Sequence, residues 1–335
     1  MKQRQSNFEL LRILAMLFVV LLHVNEMVLG GVNRLDVIQS PVDAFVRSLS
    51  EQFCCVCVNV FILISGWFGI KTSFKGVANI IFQVFFYTIF LIALGHLLGW
   101  EVPLDRITAV VRYDTAYWFV SQYLLLYLIA PALNSFVDSA DDKRLLGVTA
   151  SLFTFEFVMD WQVHYANMNG GNNVVSFIAL YLLARYLATR ESRLSQYSWK
   201  HYACAYFVFT LLPCIIGFAG SYFIGSDLGK AQYTSPFVVA ASVSLLLMFS
   251  KFQFVSKPIN YLACSAFAIY LIHISPISAR YFKQHMTAVY DSMSGALFIP
   301  VSIAIAIVLC VACMLIDKVR IYLWSVISKK IFKNS

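Results

Sequence analysis

The chain has 335 residues, of which 60% are hydrophobic and only 13% charged, with a mean hydropathy of +0.74. That balance excludes a soluble globular domain and defines a polytopic membrane protein, in which about ten helices fit at roughly 20 to 25 residues per span. The formal net charge of +8 follows from topology and contact with anionic lipid, without any need for nucleic acid.

The first stretch, Ser6 to Gly30, is apolar and of membrane length, interrupted by Arg12 and His23, with Glu26 just beyond. Ser6 and Glu9 stand in capping-box spacing, which predicts a helix starting near Asn7. The step from Arg12 to His23 returns to the same helix face within ~20° and separates the two by ~16 Å along the axis. Glu26 follows His23 by one helical turn and is its predicted neighbour. An ionisable side chain in hydrocarbon is costly unless it faces a partner or a watery cavity, so His23 reads as functional. Lys2 and Arg4 ahead of this run imitate a signal peptide, but Arg12 inside it and the lack of an Ala-x-Ala cleavage site predict a retained anchor.

The expected spans are 9–29, 49–70, 76–98, 118–137, 145–161, 173–189, 201–223, 234–250, 258–279 and 296–316. The second and fifth fit least well, because one opens with Arg47 and Glu51 and the other is short and carries Glu156. The predicted fold is all-α, with ten transmembrane helices and both termini cytoplasmic. With that topology every Lys and Arg among the chain's 25 falls inside except Arg34, Arg47, Arg106, Arg112, Lys230, Arg280 and Lys283, as the positive-inside rule asks. No internal repeat or linker is evident, so residues 1–317 form one integral domain. Lys318 to Lys333, interleaved with Ile321, Trp324 and Phe332, predicts an amphipathic cytoplasmic tail over 318–335.

The remaining signals leave alternatives open. Ser65 and Gly66 allow either close helix approach or a local break that makes room for a ligand. Trp118, Tyr123 and Tyr127 suit sugar stacking or an interfacial aromatic belt. Glu156 needs an interior partner, and His273 suits catalysis or helix-to-helix hydrogen bonding. His96, His164, His201 and His285 lie toward loops or helix ends. The eight cysteines, three of them crowded at Cys54, Cys55 and Cys57, read as small buried hydrophobes. No CxxC pair has matching histidines, so no metal site is expected.

Four further segments, together with the first helix, carry a resemblance. Glu9-Leu-Leu-Arg12 followed by His23, Phe61 to Phe68 with its Ser65-Gly66-Trp67 ending, Trp118-Phe119-Val-Ser121 leading to Pro131, and Phe267 to His273 with Tyr270-Leu-Ile-His273 occur in an order that resembles the acyltransferase-3 family of integral membrane acyltransferases. The similarity spans residues 4 to 316, and Glu9 stands where that family commonly has aspartate. It implies transfer of an acyl group, most often acetyl from acetyl-CoA, to a hydroxyl of a cell-envelope glycan, exopolysaccharide or lipid-linked sugar, in a bacterial inner membrane.

An imidazole is suited to take the proton of an attacking hydroxyl, which makes His23 the candidate base with Glu26 as its orienting partner. Arg12, near the cytoplasmic end, suits a bidentate hold on donor phosphates. Ser65 and Trp118 join it as the expected donor-binding set, and Glu156, His273 and Tyr123 form the expected acceptor-binding set. Besides acyl-CoA and the glycan acceptor, membrane lipids are the expected partners. A transporter or flippase for a lipid-linked sugar is the competing class, although such folds often repeat a half. A structural membrane subunit has no use for the Arg12 and His23 spacing.

Overall fold

The computed structural model describes residues 4–111, 117–162, 169–190, 196–225, 231–293 and 295–332. Its helices in chain order are α1 (Ser6–Leu29), α2 (Arg34–Gln39), α3 (Pro41–Cys54), α4 (Cys57–Phe68), α5 (Phe74–Leu97), α6 (Leu104–Val111), α7 (Trp118–Ser139), α8 (Asp142–Phe157), α9 (Val174–Thr189), α10 (Trp199–Phe223), α11 (Pro236–Ser250), α12 (Lys257–Ala263), α13 (Ala266–His273), α14 (Ala279–Asp291) and α15 (Gly295–Ile331). A π-helical turn, Val158–Gln162, extends α8, and no strand occurs among the described residues. Each expected apolar run is helical. Among the described residues six stretches are long and apolar enough to cross a membrane by themselves, namely Ser6–Leu29, Pro41–Phe68, Phe74–Leu97, Trp118–Ser139, Trp199–Phe223 and Leu297–Ile331, while α9 and α11 are apolar but shorter. This is a polytopic, all-α membrane protein.

The bundle is organised around α1, which packs against α3, α4, α11, α12, α13, α14 and α15. Its start differs from the expected capping box. Ser6 does not cap the helix but donates to Asn260 Oδ1 at 2.9 Å and accepts from the Ser256 amide at 2.8 Å. Glu9, instead of reaching back to the cap, pairs with Arg12 at 2.6 Å and Arg4 at 3.7 Å. Tertiary partners therefore displace the local motif. At the other end, Gly30 takes φ +75°, a left-handed conformation that closes α1.

Two of the expected spans are interrupted. The second begins at Pro41, eight residues before its expected start, and breaks at Cys55 between α3 and α4. Arg47 is tolerated near the start of that span because it bonds the carbonyls of Leu29 at 2.7 Å and Gly31 at 2.5 Å and pairs with Asp36 and Asp43. The ninth breaks at Cys264 and Ser265, between α12 and α13. Irregular backbone at membrane depth needs protein or a cavity beside it, and the first of these breaks flanks the cavity described below.

Contacts sort the charged ends. Phe8 rests on Trp67 and Phe68, with ring centroids 5.5 and 5.1 Å away, and Lys318 bonds Tyr261 and Ser265 beside the Ser6 end. The beginning of α1 and the later part of α15 thus lie at the same end, with Lys71, Arg185 and Arg190, while Arg34 and Arg47 lie at the other. The basic stretch after Lys318 continues α15 without a break to Ile331 and is not a separate helix. It packs along α5, Trp324 against Phe82 and Phe332 against Phe74. Within it, fully buried Asp317 receives two hydrogen bonds from Arg320, at 2.8 and 2.7 Å, and one from Tyr87 at 2.6 Å. Of the cysteines, Cys204 and Cys264 are exposed and correct the expectation that all are buried; the other six are buried.

Close approach is what Gly66 provides. A Cβ there would lie 2.7 Å from the Tyr181 carbonyl oxygen and 2.8 Å from Ala184 Cβ, so α4 and α9 meet backbone to backbone.

Candidate active site

His273 is the last residue of α13, and the end of that helix is held in place. Tyr117 donates to the Leu271 carbonyl at 2.7 Å and Ser278 donates to that of Ile272, satisfying carbonyls that a helix terminus leaves open. His273 Nδ1 lies 2.5 Å from the Ile269 carbonyl, and its Nε2 lies 2.9 Å from His23 Nδ1. A carbonyl only accepts, so His273 Nδ1 carries the proton, and in the neutral ring its Nε2 is the acceptor. His23 Nδ1 then donates, which leaves the lone pair on His23 Nε2. The order of protons is assigned from this network.

His23 borders a cavity of about 230 Å³. Beside it stand Glu26, exposed at the rim, and Glu51, which accepts from Asn25 at 3.4 Å. Phe61, Trp118, Phe119 and Tyr270 form an aromatic wall, and Gly170, Asn172, Gln232 and Tyr233 come from two connecting segments. Asp160, in the π-helical turn, holds those segments together, accepting from the Gly170 amide at 3.1 Å and the Thr234 hydroxyl at 2.5 Å. The Tyr233 amide donates to the Gly170 carbonyl at 3.0 Å, and Asn59 donates to the Tyr233 carbonyl at 3.0 Å. Asn172 Oδ1 is buried in this wall and has no hydrogen-bond partner among the described residues. Glu26, Glu51 and Asn172 Oδ1 are acceptors, so the cavity suits a ligand rich in hydroxyls.

Beyond Phe119 the aromatic packing continues toward the Arg12 end. Tyr123 stacks on Phe119 with centroids 5.7 Å apart, and its hydroxyl lies 3.3 Å from Ser65 Oγ. The expected sets are therefore regrouped. Ser65 and Tyr123, assigned to different ligands, stand together on the Arg12 side, whereas Trp118 is in the His23 cavity. The ring hydrogen-bonded to His23 is His273, and Glu26 shares the cavity without bonding to His23.

Glu156 does not line the cavity. It is buried behind it, accepting from Ser176 Oγ and, at 3.4 Å, from Asn173 Nδ2. Asn173 caps α9, so the carboxylate sits at the positive end of that helix. Sequence reasoning missed Glu51, Asn172, Gln232, Tyr233 and Asp160. Only Asp160 carried a local signal, as a carboxylate one turn after Glu156. His164, Lys2, Arg112, Arg193, Lys230 and Lys333 lie outside the described residues.

Residues 5–315 match the family profile described as an acyltransferase domain, Acyl_transf_3. The chain belongs to the acyltransferase-3 family and is a membrane acyltransferase. No curated protein and no solved structure matches it.

Proposed function

We propose that the protein is an O-acetyltransferase that moves acetyl from cytoplasmic acetyl-CoA to a hydroxyl of a cell-envelope or exopolysaccharide glycan, or of a lipid-linked sugar, in a bacterial cytoplasmic membrane. The observation that carries this reading is the His23 and His273 hydrogen bond, which leaves the His23 Nε2 lone pair as the available proton acceptor beside a cavity of acceptor-lined walls.

The donor enters at the Arg12 end, its phosphates held by basic side chains, and its extended thioester arm runs past Ser65 and Tyr123 toward the aromatic wall. In the cavity a sugar hydroxyl hydrogen-bonds His23 Nε2. As its oxygen attacks the thioester carbonyl, His23 takes the proton, and the resulting imidazolium donates through Nδ1 to His273. Collapse of the tetrahedral intermediate breaks the C–S bond, and His23 returns its proton to the CoA thiolate. The products are an O-acetyl ester and free CoA, with His23 neutral again. Glu26, Glu51 and Asn172 accept from the acceptor's other hydroxyls.

The test is transfer from labelled acetyl-CoA by membranes containing wild type, His23→Ala or Arg12→Ala, with folding followed by size-exclusion profile. Loss of transfer in well-folded His23→Ala protein is expected, together with weaker donor binding in Arg12→Ala. Full activity in His23→Ala protein would overturn the mechanism. Failure of wild type across a broad set of glycan acceptors would overturn the choice of substrate.

A further inference from the structure

We propose that Arg185 is a phosphate-binding residue at the donor end of the bundle, an assignment that rests on the acyl-CoA reading above. Arg185 lies on α9, one turn beyond Tyr181, on the face that meets α4. The close approach at Gly66 brings its guanidinium onto Gly69, where a Cβ would lie 3.0 Å from Nη1 and 3.3 Å from Cζ. Gly69 has φ +71°, so a residue without a side chain both permits the turn and leaves the space that the guanidinium fills.

The surrounding backbone is fixed. The Ile70 amide donates to the Tyr181 hydroxyl at 2.9 Å, Tyr181 donates to Asn134 Oδ1 at 2.7 Å, and Asn134 Nδ2 donates back to the Ile70 carbonyl at 3.0 Å. Side chains from α7 and α9 thus fix the turn after α4 beside one partly buried cation.

Among the described residues Arg185 has no carboxylate partner, and its Nε is buried without a hydrogen bond. Arg47 and Arg190 also have a buried Nε without a hydrogen bond, so what sets Arg185 apart from the other partly or fully buried arginines is the missing carboxylate. Arg12 is held by Glu9, Arg47 by Asp36 and Asp43, Arg190 by Asp142, and Arg320 by Asp317. The C-terminus of α4 offers Arg185 partial negative charge, but among the described residues its side chain donates no hydrogen bond to it. A half-desolvated guanidinium without a counter-charge is unfavourable, and a phosphate, which matches its fork bidentately, removes that penalty. Arg12, the cation that sequence singles out at this end, is already engaged by Glu9. Arg185 supplies a guanidinium that no carboxylate holds among the described residues.

Phosphate chemistry at this end has two sources, the nucleotide of the donor and the phosphodiester of an anionic lipid in the cytoplasmic leaflet. Purified wild type, Arg185→Gln and Arg185→Lys are compared in nanodiscs of phosphatidylcholine, with and without phosphatidylglycerol. Acetyl-CoA and S-acetyl-pantetheine, which lacks the nucleotide phosphates, serve as donors. For a nucleotide contact, Arg185→Gln raises the KM for acetyl-CoA about tenfold, as loss of a charge-assisted bond predicts, while kcat and the KM for S-acetyl-pantetheine hold and Arg185→Lys recovers part of the loss. For a lipid contact, wild type gains stability from phosphatidylglycerol, Arg185→Gln does not, and donor KM is unchanged. Equal changes with both donors and no lipid dependence would overturn the proposal. Direct binding of adenosine 3′,5′-bisphosphate, measured by calorimetry, reports on Arg185 even if no acetyl transfer is seen. Binding to wild type and not to Arg185→Gln supports the site while the proposed reaction fails.

Discussion

Replacing His273 with Phe tests whether the histidine pair is catalytic machinery or packing. Phe fills most of the same buried volume but offers no acceptor to His23 Nδ1, now 2.9 Å away. Between neutral rings that bond is ordinary. Once His23 has taken a proton it becomes charge-assisted, and its loss costs about 1.5–3 kcal/mol in the transition state. At ~1.4 kcal/mol per decade, kcat falls roughly 10- to 150-fold. The KM for acetyl-CoA is expected to hold, because the proposed site for the donor's phosphates is at the far end of α1. His273→Gln, whose amide oxygen can accept from Nδ1, recovers part of the rate. The assay is initial acetyl transfer by purified protein at saturating acceptor, with thermal unfolding in the same detergent. Activity within threefold of wild type in His273→Phe, alongside an inactive His23→Ala, would refute the reasoning. So would a fall in rate matched by loss of folded protein.

Asp317→Ala leaves Arg320 buried without its carboxylate and is expected to cost about 3–5 kcal/mol, read as a large drop in thermal stability, whereas combining Asp317→Leu with Arg320→Met restores most of it. Gly66→Ala places a methyl group against Tyr181 and Ala184 and is expected to cost about 1–3 kcal/mol, with helix separation reported by cross-linking between α4 and α9. Asp160→Ala frees the two segments that Gly170 and Thr234 anchor, so the KM for the acceptor rises several-fold while that for the donor is unchanged. Glu156→Ala leaves the Ser176 hydroxyl without its acceptor and lowers stability by about 1–3 kcal/mol, with kcat/KM per folded molecule within twofold of wild type; a selective rise in acceptor KM would instead make Glu156 a substrate contact.

The positions of the spans were legible because hydropathy is a local property, and every expected run proved helical. The breaks at Cys55 and at Cys264 to Ser265 were not, since neither contains the Pro or Gly that marks a kink in sequence. Ser6 and Glu9 misled for a related reason. Their spacing fits a capping box, but Asn260 and Ser256 compete for the hydroxyl from the other end of the chain, and no local pattern reports that. His23 stood out as an ionisable group in hydrocarbon, and the family resemblance flagged His273, yet nothing in either neighbourhood indicates that the two rings touch. The acidic wall was hidden more deeply. Glu51 looked like an obstacle to a span, and Asn172, Gln232 and Tyr233 lie in connecting segments, where polar residues are ordinary. Arg320 was read as part of a basic tail and Asp317 was passed over at the end of the integral domain, although their spacing is that of a helical ion pair.

The unbroken course of α15 changes what the C-terminus can tolerate. At 37 residues the helix is about 55 Å long, well beyond the thickness of a hydrocarbon core, and from Asp317 onward it is still bolted to α5 through Tyr87, Asn79 and Phe82. A reporter fused after residue 317, where a tail was expected to begin, would sever Arg320 from the chain and leave Asp317 buried without its cation. Such a fusion would record a damaged bundle, whereas one placed after Phe332 would leave the helix and its ion pair intact. Purification tags and topology reporters belong beyond that point.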